Sequence, residues 1–346
     1  MLIAHRESPL PDASGRGRGR GRPIGRNSKS GTLVTVGDLV LDLQLEVRLP
    51  AVADAHQMSP SLLLEAGGAC TTLLTARNLG LDAVALGTVG ADFQGRMLLE
   101  ILSDAGVDVS ACVTPPGSTT TTVISLSDTA RTEHVFLGHY GDSPPIDLTE
   151  AAGRQLEGAD AVFIPGYALV ERRLNPLVDG ALQFLASSAT PLYIDVGPFL
   201  GQLEQSGVER LLAAADVLIL TDDEVRFVAA GESEIDACRR LLHAWPDLFI
   251  VLKRGAAGCY LLGRGLDCAC DGFPVPVVDT IGAGDAFAAA YIWAELQGHS
   301  PLECGTIGNA AGAASVMKAG AGRNAPTRAE IQAILDQHKT GLSLSC

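Results

Sequence analysis

Residues 282–285 read Gly-Ala-Gly-Asp, set between the apolar run before Asp279 and the small-residue string Ala286 to Tyr291. Two glycines let main chain approach a ligand closely. A helix that starts here leaves its first amides unpaired, at the positive end of the helix dipole. Such a start binds anions, phosphate groups among them. Asp285 adds a carboxylate, which can cap its own helix by accepting from free amides or take a proton from a bound hydroxyl. These residues alone leave both roles open. No Lys-Ser or Lys-Thr follows the glycines and the G-x-G-x-x-G spacing is absent, so this is neither a P-loop nor a dinucleotide fingerprint.

The elements that must position this loop follow an alternating rhythm. From Gly31 onward, apolar runs such as "TLVTVGDLVLDL", "DAVALGTVG", "DAVFIPG", "PLYIDVG", "DVLILT" and "LFIVLKRG" read as strands. Amphipathic segments such as "ACTTLLTARNLG" and "DFQGRMLLEILSDAG" read as helices ended by Gly80 and Gly106. Apolar strands separated by helices predict an α/β fold with a mostly parallel central sheet and helices on both faces. Two stretches depart from the rhythm, residues 43–66 and 115–137, which have alternating β-branched runs and no helix between them. They can pair as a small β lid over a site at the carboxyl ends of the strands, or stand as ordinary surface hairpins. After residue 279 the chain turns mostly helical.

Composition limits the classes of function. The 346 residues are 47% hydrophobic with 39 glycines, enough to bury a sizeable core, and carry a net charge of -15. Residues 1–30 hold an Arg/Gly-rich run with almost nothing to bury and read as a disordered tail. Without that basic tail the body, 31–340, is still more acidic, a poor partner for nucleic acid. No apolar stretch reaches the about 20 residues that cross a bilayer, and no apolar signal-peptide core precedes the body, so a cytoplasmic protein is expected. The close cysteine pair, Cys268 and Cys270, matches no zinc or redox spacing, and reduced thiols are expected.

Five motifs in order resemble the PfkB, or ribokinase-like, carbohydrate kinases. They are "VGDLVLDL" with Asp42, "EAGGACTT" with Gly67, Gly68 and Thr72, "LTDDE" with Glu224, "LKRGAAG" with Lys253, Gly255 and Gly258, and "DTIGAGDAF" with Asp279 and Asp285. The resemblance covers residues 32–338 and implies ATP-dependent phosphotransfer with Mg2+. By the resemblance, Asp285 is the base, the amides around Gly282, Ala283 and Gly284 form the anion hole, and Asp42, Gly67, Gly68 and Thr72 hold the acceptor. Lys253, Gly255, Gly258 and Asn309 would face the nucleotide, and Glu224 the water shell of Mg2+. Asp279 with the loop 318–326 would hold a monovalent cation such as K+. An Asp of ordinary pKa, near 4, would serve by taking its proton late. Tight turns, packing and capping remain the plain alternatives for these glycines and for Asn309.

Three positions depart from the family pattern. Thr72 and Thr221 stand where asparagines are usual, and Val40 replaces the asparagine of ribokinases. These changes bear on which acceptor is used. An unphosphorylated sugar is expected, because the two lid stretches hold only Arg48, His56, Arg131 and His134 as basic residues. A nucleoside or a catalytically weak ligand-binding homologue is the alternative, and family members often pair lid to lid as homodimers.

Overall fold

The computed structural model describes residues 31–54, 56–128, 130, 133–198 and 200–344. The tail expected over residues 1–30, and Arg131, lie outside them.

The first apolar run is two strands rather than one. β1 (Thr32–Val36) ends at Gly37 and Asp38, and β2 (Leu39–Glu46) continues in a different sheet. The remaining strands are β3 (Leu62–Gly68), β4 (Asp82–Leu86), β5 (Thr122–Asp128), β6 (Glu133–His139), β7 (Ala161–Ile164), β8 (Leu192–Asp195), β9 (Val217–Thr221), β10 (Phe249–Lys253), β11 (Cys259–Gly263) and β12 (Leu266–Cys270). The helices are α1 (Ala69–Leu79), α2 (Phe93–Asp104), α3 (Glu150–Glu157), α4 (Gly166–Val170), α5 (Asn175–Leu185), α6 (Gln205–Ala214), α7 (Glu234–Ala244), α8 (Ala283–Leu296), α9 (Pro301–Val316) and α10 (Arg328–Gln337). Residues Asp222–Phe227, which fit the helical rhythm in sequence, form a 3-10 turn.

The central sheet has eight strands in the order β12-β11-β10-β9-β8-β7-β1-β4. Pairing is parallel from β10 through β4 and antiparallel at the β10-β11-β12 edge. Successive strand residues point to opposite faces, and both faces are covered. Leu33, Phe163, Ile219 and Val251 pack against α1, α2 and α8–α10. Val34, Ile164, Leu218 and Ile250 pack against the helices from α3 to α7. α8 is apolar around most of its circumference because α1 and α9 flank it, and Trp293, Tyr291 and Ile292 are fully buried. Each such side chain contributes roughly 1.5–3 kcal/mol.

The two stretches outside the rhythm do pair. They form a second sheet in the order β3-β2-β5-β6; its first part, 39–68, is wider than the stretch read from sequence, and its second, 122–139, starts later and ends two residues further on. Asp42 therefore lies inside β2 of this second sheet, opposite Glu65 of β3, instead of at the end of a first central strand. No helix among the described residues is long and apolar enough to cross a membrane.

Candidate active site

α8 begins at Gly282, whose φ of 76° is a left-handed conformation open to glycine at little cost, and no side chain caps the helix. The Ala283 amide reaches the Thr280 carbonyl at 3.4 Å, and no acceptor among the described residues engages the amides of Gly284 and Asp285. The capping role for Asp285 is thus not realised. Its carboxylate instead accepts from the Thr72 hydroxyl of α1 at 3.5 Å. Burial, then Asp195, raise the Asp285 pKa to about 7, with Lys253 opposing the shift. The expectation of an ordinary carboxylate is corrected on this point: the cleft holds several acids, and little water reaches them.

On one side of Asp285 lies a wall formed by the second sheet and α1. Gly67 is glycine for a steric reason, since a Cβ there would collide with the Asp42 carboxylate. Burial, then Glu65, lift Asp42 to about 7. Gly68 follows at the start of α1, and Thr72, one turn into that helix, is fully buried. The structure therefore brings Asp42, Gly67, Gly68, Thr72 and Asp285 together.

On the other side is a cavity of about 400 Å³. Lys253, Gly255, Gly258, Ala283, Gly284 and Asn309 all line it, together with Thr221 and apolar residues such as Phe273, Val275 and Phe287. Asn309 uses its amide nitrogen to hold the end of β12, donating to the carbonyls of Cys270 and Asp271 at 3.1 and 3.0 Å. Lys253 pairs with Asp195 at 2.6 Å, and its ammonium lies 3.3 Å from where a Cβ would stand on Gly284.

Asp195 is the functional candidate that the motifs do not contain. It ends β8, next to the strand that carries Thr221 and two strands from the one that carries Lys253, and its charge acts on Asp285, Glu224 and Lys253. A carboxylate at the end of the apolar run "PLYID" was the available signal. Tyr167 of α4 is a second such residue, 41% exposed at the cleft, its pKa pushed up to about 12 by burial, then by Asp285 and Glu224. Asp38 and Arg173 are a third case. Asp38 is buried and raised to about 6 by desolvation, with Arg173 opposing. The Arg173 guanidinium donates to Glu171, Ser143 and Thr121.

Thr221 keeps Glu224 in position despite replacing the usual asparagine. Its amide donates to the Glu224 carboxylate at 2.8 Å, and the two residues form a capping box on the 3-10 turn. Burial, then Asp195, raise the Glu224 pKa. Among the described residues no group of three or more His, Cys, Asp or Glu is arranged to hold an ion. Two acids held close together fit Mg2+, which is commonly bound through one or two carboxylates, substrate phosphates and water.

Asp279 ties two loops together, accepting from the Ile281 amide at 3.0 Å and the Gly320 amide at 2.8 Å. His134 of the second sheet reaches the same carboxylate at 3.6 Å.

Comparisons with known proteins show the family and the fold. Residues 31–328 match the pfkB family carbohydrate kinase family. The chain is 29% identical over 309 residues to an ATP-dependent ribose-1-phosphate kinase from Halopiger xanaduensis, covering 88% of this chain and 98% of that protein. It superposes on an Arabidopsis thaliana ribokinase complexed with ribose and ATP with a TM-score of 0.73 at 21% identity, covering 89% of this chain and 99% of the other. A Burkholderia thailandensis nucleoside kinase in complex with inosine gives a TM-score of 0.69 at 18% identity, covering 89% and 98%. With a ribokinase-like fold and a family match along nearly the whole described length, the chain belongs to the pfkB family of carbohydrate kinases.

Proposed function

We propose that the protein transfers the γ-phosphoryl group of ATP to a hydroxymethyl group of a small unphosphorylated sugar, with Asp285 as the base. The observation that carries this reading is the position of Asp285. It lies at the amide end of α8, between the nucleotide-sized cavity and the Asp42–Gly67–Thr72 wall. Phosphoryl transfer asks mainly for positioning and for stabilisation of charge on the transferring group. The amides of Gly284 and Asp285 supply fixed donors for that charge, and Asp42 accepts hydroxyl hydrogen bonds from a polyol. Asp285 takes the proton of the incoming hydroxyl. Lys253 offsets the negative field of Asp195, Glu224 and Asp285 and keeps a cation beside Gly284. Magnesium bound with the triphosphate screens its charge, and Glu224 and Asp195 are the carboxylates of this chain available to its water shell.

The absence of a phosphate on the acceptor is supported by the cleft's charge. Asp38 and Asp42 are buried acids, and Asp285 is a partly buried one. The guanidinium beside Asp38, that of Arg173, is already engaged with Glu171, Ser143 and Thr121. A sugar phosphate would bring at least one further negative charge against them.

A nucleoside acceptor is the second reading, favoured by two aromatic side chains. Tyr140 after β6 and Tyr167 of α4 are 49% and 41% exposed and lie near each other. They could cover a base at the mouth of the cleft. A K+ ion near Asp279 is supported by the family resemblance and by the way that residue joins 279–281 to Gly320. Activity in potassium against tetramethylammonium tests it. The second sheet is also proposed as a lid and as the contact for a second copy of this chain, supported by exposed Phe136, Leu137 and Leu62.

The deciding experiment is ADP release with Mg2+ and ATP across pentoses, hexoses, sugar acids, sugar phosphates and nucleosides, repeated with Asp285→Asn. The variant is expected to bind ATP while losing on the order of 10²–10⁴ in rate. Full activity of Asp285→Asn, or turnover with sugar phosphates alone, overturns the reading.

A further inference from the structure

A second cavity, of about 750 Å³, lies on the α6–α7 side of the central sheet and shares no lining residue with the first. Its walls come from the segment after β8, from α6, from the far end of the 3-10 turn 222–227 and from α7. Leu203, Val208, Phe227 and Trp245 are only partly buried, and their apolar surface faces this space. Two cations stand among them. Arg226 lies over the Phe227 ring at 5.0 Å, and Arg240 donates to the Ala230 carbonyl at 3.3 Å.

Among the described residues, these two arginines are not neutralised by an acid. Acids outnumber Lys and Arg by 40 to 25, and arginines elsewhere on the surface commonly meet a carboxylate, as Arg210 does Asp179 and Arg239 does Asp267. Arg226 and Arg240 form no such ion pair among the described residues. Asp236 acts on Arg240 electrostatically from the same helix. The one acid lining the cavity, Glu209, accepts from Gln205 of its own helix at 2.9 Å. A cavity with apolar and aromatic walls and guanidinium groups that form no ion pair has the make-up of a small-molecule site, and guanidinium recognises carboxylate or phosphate oxygens through paired donors.

We propose that this cavity binds a small amphipathic anion, one with an aromatic or aliphatic body and a carboxylate, sulfonate or phosphate end held by Arg226 and Arg240. The site is separate from the phosphotransfer cleft yet mechanically next to it. One six-residue turn connects them: Thr221, which caps it, lines the first cavity, and Arg226 and Phe227 at its other end line the second. Glu224 sits between.

The probe for the test is 8-anilinonaphthalene-1-sulfonate, which carries an aromatic body and one anionic end. Titration of the full chain, followed by fluorescence, is expected to give one saturable site that persists in saturating MgATP. The double variant Arg226→Ala with Arg240→Ala should weaken binding by about tenfold or more, since two charge-assisted contacts are lost. Ala229→Trp, which narrows the cavity and leaves both arginines in place, should weaken it comparably. Circular dichroism of both variants checks that they fold. Displacement of the probe by MgATP, or unchanged affinity in either folded variant, overturns the proposal. Neither outcome depends on which acceptor the cleft phosphorylates.

Discussion

The Thr72 hydroxyl lies 3.5 Å from the Asp285 carboxylate, joining the helix that follows the di-glycine turn to the helix that Gly282 opens. A hydroxyl donor favours the ionised form of the acid it touches. With Asp285 at about 7 in the unliganded chain, kcat/KM for the acceptor should rise about tenfold per pH unit below that value and level off above it. Thr72→Val removes the donor, so the Asp285 pKa rises and the acid limb moves to higher pH. The contact is long, so the shift should be under about one unit. Rate profiles of the two proteins between pH 5 and 9, with a single saturating ATP concentration, measure it; a limb that moves to lower pH contradicts the assigned contact.

Gly67 and Asp42 make a steric prediction. A methyl group at Gly67 must push the Asp42 carboxylate aside. Misplacing a positioning group by about 1 Å can cost on the order of 100-fold. Gly67→Ala is therefore expected to lower kcat/KM for the acceptor by about 10- to 100-fold while leaving the affinity for ATP near that of the parent. Acceptor-saturation kinetics and ATP titration separate the two effects, and an equal loss in both would place Asp42 elsewhere in the reaction.

Lys253 and Asp195 are nearly enclosed, with side-chain exposures of 12% and 13%. Removing one member of a buried pair leaves an uncompensated charge, at about 3–5 kcal/mol. Lys253→Met should accordingly lower the denaturation midpoint strongly and abolish activity. Adding Asp195→Asn to it should restore most of the stability and none of the activity. Chemical denaturation of the three proteins tests the pair; a stable Lys253→Met variant would show that its charge is not needed to balance Asp195.

Much of this site could be read from residues close together in the chain. The Gly-Ala-Gly-Asp helix start, the di-glycine turn and the glycines after β10 each carry their geometry locally. Asp195, Tyr167 and Asp38 do not, because each gains its meaning from neighbours contributed by other strands. The split of the first apolar run at Gly37–Asp38 was hidden for a related reason. Buried strands on both sides of the break have the same apolar pattern, and only pairing partners distinguish them. The β11-β12 hairpin, with Cys259 opposite Cys270, was also not read, since a rhythm of parallel strands gives no sign of an antiparallel edge.

Asp38 gives a stability prediction with a definite sign. Its folded pKa, about 6, lies above the ordinary value of 3.8, so the folded chain keeps this proton longer than the unfolded one. Its contribution is fully present below about pH 4 and is lost as pH rises through 6. Asparagine does not titrate. Asp38→Asn should therefore improve, relative to the parent, by about 1 kcal/mol more at pH 8 than at pH 5. Urea denaturation at the two pH values reads the difference, and a larger gain at pH 5 would reverse the assignment.

The break at Gly37–Asp38 has a mechanical consequence. It hands Asp42 to the second sheet, while Asp285 rides on a helix packed against the central one. Under the proposed function, the residue that would hold the sugar and the residue that would deprotonate it thus stand on different sheets, and the angle between the sheets would set how far the held hydroxyl is from the phosphoryl group. A water molecule, which Asp42 does not carry in, gains nothing from that alignment. Under that reading the break would act as a filter against wasted ATP, favouring the reaction when a polyol spans both sheets.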